Sequence, residues 1–171
     1  PDGALYSDGL PIPPYCSVNN GAAGTAYGLY RMAIAREDPV LLARADAWIA
    51  RAAAWSASRS EAWYTEDKSV SRREVGTIAL YHTATGMLCV DALIALATGD
   101  VDRAARSADA YADASLDKCS VLDVTLGRAG LVVGAALMLE ASPARLPRLR
   151  RRAERIATDL ERKLASFGPV T

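Results

Sequence analysis

One histidine, three cysteines and a few aspartates carry whatever acid–base, nucleophilic or metal chemistry this chain of 171 residues could perform. His82, the only histidine, sits in the turn Tyr81-His82-Thr83-Ala84-Thr85-Gly86. An imidazole titrates near neutrality, which suits proton transfer and makes His82 the candidate acid–base residue. Its plainer role would be to cap the next helix or to hydrogen-bond a neighbouring turn. Zinc requires ligands that converge, usually with a short Cys-x-x-Cys or Cys-His spacing. Cys16, Cys89 and Cys119 offer neither, and Cys16 and Cys119 are each followed by serine. The sequence therefore predicts no metal site from this chain's own residues. Cys89, inside an apolar run, reads as a small buried hydrophobe.

Carboxylates and glycines give the remaining options. Glycoside cleavage needs two carboxylates facing each other across a sugar, and Asp91 and Asp123 are the residues to consider. Asp123 is better read as fixing the turn before Thr125-Leu126-Gly127, and no Asp-rich metal motif of the D-D-x-x-D kind occurs. The glycines at 21, 24, 127 and 130 are not followed by Lys-Ser/Thr, which argues against a phosphate-cradling loop. Close approach of backbones at a helix start explains them better. The cluster Arg148 to Arg152 reads as a solvated helix face, with Glu154 and Glu161 interleaved among the basic residues.

The elements that must position these residues follow from composition and periodicity. Half of the chain is hydrophobic but only 6% is aromatic, so alanine, leucine and valine dominate, which favours closely packed helices. Twenty basic residues balance twenty acidic ones, which gives no electrostatic reason to expect nucleic acid or an anionic membrane as partner. The apolar stretch from Ala129 to Leu139 is too short to span a bilayer. An odd, scattered set of cysteines suits a reducing compartment, the cytoplasm. Opening on Pro1 with no basic-then-apolar leader, the chain reads as processed or as a piece of a longer protein.

Residues 1–20, with Pro11, Pro13 and Pro14, read as a lead-in loop, and residues 21–171 as one helical region. Three segments in that region share a pattern. Asn20-Gly21-Ala22-Ala23-Gly24, His82-Thr83-Ala84-Thr85-Gly86 and Leu126-Gly127-Arg128-Ala129-Gly130 each open a run that is apolar nearly all round. Two carry a full G-x-x-G, and the middle one has Thr83 in the first glycine's place. Between them lie amphipathic segments. Residues 39–57 place Leu41, Ala45, Trp48, Ala52 and Trp55 on one stripe, residues 144–165 repeat the spacing from Leu146 to Leu164, and 101–115 do so more weakly. An extra polar loop covers about 59–80. Helices apolar all round need cover on both sides, whereas amphipathic ones need it on one. Alternation of the two kinds predicts three inner–outer hairpins in a curved array, with 24–35, 86–98 and 129–141 far more buried than 39–57 and 144–165.

The segments G-A-A-G-T-A-Y-G-L, Y-H-T-A-T-G and L-G-R-A-G-L-V-V-G-A-A-L-M-L-E resemble the glycine-rich starts of inner helices in LanC-like (lanthionine synthetase C-like) proteins, most closely those that follow a Ser/Thr kinase domain. The resemblance runs from about residue 19 to 141. It implies an all-α, partial α/α toroid: an arc of hairpins forming the N-terminal part of a cyclase domain that modifies peptides. Active relatives hold zinc through two cysteines and a histidine and add a substrate thiol to a dehydrated residue, forming a thioether ring. The resemblance places His82 at the cavity mouth as the acid–base candidate. It implies no cofactor for this chain alone, with zinc entering in the complete domain. The implied partners are the remaining half of the toroid, a kinase domain and a peptide substrate. The alternative is a non-catalytic module that binds a peptide or protein. An arc also leaves apolar end faces uncovered, so self-association of the isolated chain is a further expectation.

Overall fold

The structure is a computed structural model that describes residues 16–58, 62–64 and 71–167. Those residues form helices and turns, with no strand among them. The helices are α1 (Ala22–Arg36), α2 (Pro39–Ser58), α3 (Arg72–Val75), α4 (Ala84–Thr98), α5 (Val101–Ala114), α6 (Arg128–Ala141) and α7 (Pro147–Ala165). No helix among the described residues is long and apolar enough to cross a membrane.

Short, chemically defined turns pair the long helices into hairpins. α1 ends at Glu37, which takes a left-handed conformation, and Asp38 then accepts hydrogen bonds from the amides of Val40 (2.9 Å) and Leu41 (3.1 Å). That carboxylate satisfies donors that the first turn of α2 would leave orphaned. The α4–α5 connection repeats the device. Gly99 ends α4 at φ 82°, where glycine carries no side-chain penalty, and Asp100 caps α5 through the Arg103 amide at 3.0 Å. Pro147 stands in the first turn of α7, where its missing N–H costs nothing.

The hairpins α1–α2, α4–α5 and α6–α7 stand side by side, with α4 between α1 and α6 in one layer and α5 against α7 in the other. α2 also packs on α4. Asp91 of α4, Arg103 of α5 and Asp46 of α2 tie the layers together. The Arg103 guanidinium lies 2.6 Å from Asp46 and 3.4 Å from Asp91, whose other oxygen accepts a short hydrogen bond from Ser107. On α2, Arg51 lies over the rings of Trp48 (5.9 Å) and Trp55 (5.2 Å), so the stripe is half-buried beneath a cation.

Burial corrects one expectation. α4 is enclosed, with nine buried residues of fifteen, including Met87, Cys89, Val90, Leu93 and Ile94. α1 buries only Ala22, Ala23, Ala26 and Ala33, while Met32 and Ile34 are about half exposed. α6 buries Leu131, Ala135 and Met138 but leaves Val133 exposed. α1 is thus no better covered than α2, which buries Ala45, Ile49 and Ala52. An apolar circumference records the cover a helix can use, not the cover it has, and only α4 has an inner neighbour on each side. The stripe of α7 is as expected from Leu149 to Leu160, but Leu164 is exposed. Fifteen of the twenty lead-in residues, and residues 59–61 and 65–70 of the polar loop, lie outside the described set. The described end of that loop contains α3, a single turn capped by Ser71.

Candidate functional site

The starts of α1, α4 and α6 are three copies of one local structure, and they shape the inner face. The residue preceding each helix is extended: Gly21 at φ −133°, Thr83 at −125° and Gly127 at −119°, with ψ between −166° and −176°. Any residue adopts those angles, so a threonine can stand in the middle copy. Thr83 uses its hydroxyl there, donating to the Ala79 carbonyl (3.0 Å) and lying 3.1 Å from the hydroxyl of Thr85, which in turn donates to Ile78 (3.1 Å). The glycine three positions on has no such freedom. A Cβ at Gly24, Gly86 or Gly130 would collide with the carbonyl oxygen six residues earlier, that of Val18, Leu80 or Val124. Gly127 is fixed in the same way, by the Val121 oxygen at 2.5 Å from a would-be Cβ.

Two of these residues, Val18 and Leu80, also link one hairpin to the next. A Val18 methyl would lie 2.8 Å from a Cβ at Gly86, and Leu80 would lie 3.3 Å from one at Gly130 and 2.8 Å from one at Gly134. The first two turns therefore each close on their own glycine with a carbonyl and fill the next hairpin's glycine gap with a side chain. The Asn19 amide adds a hydrogen bond to the Tyr81 carbonyl at 2.8 Å, joining the first two turns directly. This constellation was legible as [Val/Leu]-x-x-[Gly/Thr]-x-[Ala/Thr]-Gly, once the residues before each glycine were aligned as well as those after it.

These elements enclose a cleft of about 80 Å³ between α1, α4 and α6, walled by Val18, Tyr27, Leu80, Tyr81, Cys89 and Leu137 among others. Small-molecule sites usually span roughly 300–1,000 Å³, so this space takes a side chain rather than a whole substrate. Its wall is largely apolar. Tyr27 brings a phenol oxygen that accepts a hydrogen bond from Arg31 at 3.0 Å. Neither Tyr27 nor Tyr81 stands out in the sequence as a candidate.

His82 lies beside this cleft rather than in its wall. It is buried, its amide donates to the Ala79 carbonyl at 3.1 Å, and its Nδ1 is enclosed without a hydrogen-bond partner. Burial pushes its pKa below the ordinary histidine value, so the ring is neutral around pH 7. Its side chain does not cap α4, whose cap residue is Thr83.

The three thiols are dispersed. Cys16 donates to the Ala52 carbonyl of α2 (3.3 Å), Cys89 to Gly134 of α6 (3.5 Å) and Cys119 to Val121 (3.7 Å). Cys89 is fully buried, and desolvation pushes its thiol up to about 12, so it is neither a thiolate nucleophile nor a ready metal ligand. Among the described residues no three His, Cys, Asp or Glu side chains gather to hold a metal ion. The residues present do not fit a zinc centre. Asp91 is committed to Arg103 and Ser107, and the Asp123 carboxylate accepts from the amides of Thr125 (2.6 Å) and Leu126 (2.7 Å), closing the turn before Gly127.

Compared with protein-family models, curated proteins and solved structures, the chain gives no match in any of the three.

Proposed function

We propose that this chain is three hairpins of an α/α toroid and forms the N-terminal part of a LanC-like cyclase domain involved in peptide modification, linked to a Ser/Thr kinase domain. One observation carries the reading: the carbonyl-on-glycine turn occurs three times, and its side chain locks into the next hairpin twice. The third such side chain, Val124, is 44% exposed, as expected of an array that continues. The remaining hairpins of the toroid would cover it.

In this reading the substrates are peptides bearing a cysteine and a dehydrated residue. The thiol S–H adds across the C=C bond, the new S–C bond forms at the β carbon, and the proton goes to the α carbon. No oxidant or reductant is consumed and the mass is unchanged. The thiols and the histidine of this chain do not assemble a zinc centre, so metal chemistry belongs to other parts of the domain. His82, beside the cleft, is the acid–base candidate that this chain supplies.

A second reading is a non-catalytic module that binds a peptide or protein. It is favoured by the protonated Cys89 and by a cleft that holds one side chain. One experiment separates the two. The full encoded polypeptide, with the sequence on both sides of this chain, is incubated with a peptide carrying one dehydroalanine and one cysteine. Protein-dependent loss of the maleimide-reactive thiol at constant mass supports the cyclase. Peptide binding with the thiol fully retained supports the module, and a peptide neither bound nor cyclised refutes both readings.

A further inference from the structure

In sequence the basic residues of the last helix are interleaved with acidic ones, yet four of its arginines share one face, with Asp113 of α5 beside them. Arg148, Arg151, Arg152 and Arg155 follow the i, i+3, i+4, i+7 spacing of a single helical face. They line a groove of about 330 Å³ between α7 and the end of α5. Glu154, which seemed to dilute the stripe, is not among its lining residues.

The pairing of these cations is uneven. Arg148 is neutralised by Asp113 and approached by Asp109 at 3.9 Å. Arg152 is half-buried and held by neutral acceptors, donating through Nε to the Ser115 hydroxyl (2.8 Å) and through a terminal nitrogen to the Ser115 carbonyl (2.5 Å). Arg151 and Arg155 form no ion pair with a carboxylate among the described residues. The groove thus gathers three positive charges not offset by acidic side chains, in a chain whose net charge is zero. Burial first, and then the neighbouring Arg128 (itself paired with Asp159) and Arg155, lower the pKa of Arg152. An anion placed among them would relieve that repulsion. Guanidinium forks match oxyanions in pairs, and the volume suffices for a phosphoryl group and the moiety that carries it.

We propose that the α5–α7 groove is a binding site for a phosphate monoester, whose phosphoryl oxygens are held by Arg151, Arg152 and Arg155. The monoester is either a small phosphorylated metabolite or a phosphorylated side chain of a peptide. This site is on the outer layer, away from the inner cleft, and does not depend on the toroid reading.

Calorimetric titration of the intact chain at fixed ionic strength tests it. Four probes are used: inorganic phosphate, glycerol phosphate, a phosphoserine peptide and the same peptide with glutamate in place of phosphoserine. The expected result is saturable binding of at least one phosphomonoester, weakened at least about tenfold by R151Q/R155Q, since each lost charge-assisted contact costs that much or more. Both side chains are exposed, so the variant should fold, which circular dichroism verifies. R150Q, whose parent arginine instead donates to the Pro143 carbonyl at 2.7 Å, should bind as the parent does. Preference for glycerol phosphate over the phosphopeptide identifies a metabolite site, and the reverse a peptide site. Three results overturn the proposal: no phosphomonoester binding, equal binding of the glutamate peptide, or full binding by R151Q/R155Q.

Discussion

Substituting alanine at Gly86 and at Gly28 should move stability in opposite directions, although both glycines lie within helices. At Gly28 a Cβ meets nothing within 4 Å and the position is exposed. Gly28→Ala therefore gains only helix propensity, about 0.5–1 kcal/mol. At Gly86 the same methyl would run into the Leu80 carbonyl oxygen, with the carbonyl carbon 3.1 Å away and a Val18 methyl at 2.8 Å. The valine can rotate, but the carbonyl cannot, because its strand of chain carries the Thr83 and Thr85 hydrogen bonds and the Leu80 side chain fills Gly130 and Gly134. Relief requires moving the whole turn, which puts the cost at the top of the overpacking range, about 3 kcal/mol. Setting about 1 kcal/mol of propensity against it leaves a net loss of about 2 kcal/mol or more. For a chain of this size each kcal/mol moves Tm by about 2–4 °C. Thermal unfolding followed by far-UV circular dichroism should show Gly86→Ala about 4–8 °C below the parent and Gly28→Ala about 1–4 °C above it. Equal stability of Gly86→Ala and the parent would falsify the close-approach account of all three turns, because Gly24 and Gly130 rest on the same geometry.

Two further outcomes follow from the buried titratable groups. His82 has its pKa lowered by burial, so the unfolded chain binds its proton more readily than the folded chain. Stability is then level above the unfolded value near pH 6.5, falls as pH drops from there to the folded value, and flattens below it; urea titrations of the parent and H82Q should differ in that window by at most about 1.4 kcal/mol per pH unit, and identical pH profiles would refute the assignment. For the thiols, iodoacetamide at neutral pH should label the partly exposed Cys119 first and reach Cys16 and Cys89 only on unfolding, as mass spectrometry of tryptic peptides reads directly; early labelling of Cys89 would contradict its burial.

Periodicity makes the long helices legible because each carries an apolar pattern, weakest over 101–115; their ends at Asp38, Gly99-Asp100 and Pro147 are set by turn and cap residues that the structure reveals. α3 escaped because four residues carry no period. The depth of the inner helices was misjudged for a different reason. Val133 and Leu93 are equally apolar in sequence, yet one is exposed and the other buried, because burial depends on how many neighbours a helix acquires. The site was half legible. Asp123 declares its turn in the sequence, and the scattered cysteines predict the separated thiols that the structure holds. The desolvation of His82 and the single-faced arginine stripe depend on packing and helical phase, and the stripe was available from phase alone.

The interlocking turns bear on which surfaces of the chain are finished. Val18 and Leu80 have the same place in their turns, and each spends its carbonyl on its own hairpin and its side chain on the following one. The device runs in one direction, from α1 through α4 to α6, and twice the following hairpin covers the side chain that the turn before it presents. Val124 is third in the series and remains 44% exposed, with Val121 also exposed. At about 25 cal/mol per Å², covering such residues is a modest term each, comparable to what holds neighbouring repeats together in linear arrays. Under the proposal that the array continues, a further hairpin would receive Val124 in a glycine gap, since glycines receive Val18 and Leu80. In that reading the repeat would set the chemistry of the next neighbour as well as its position.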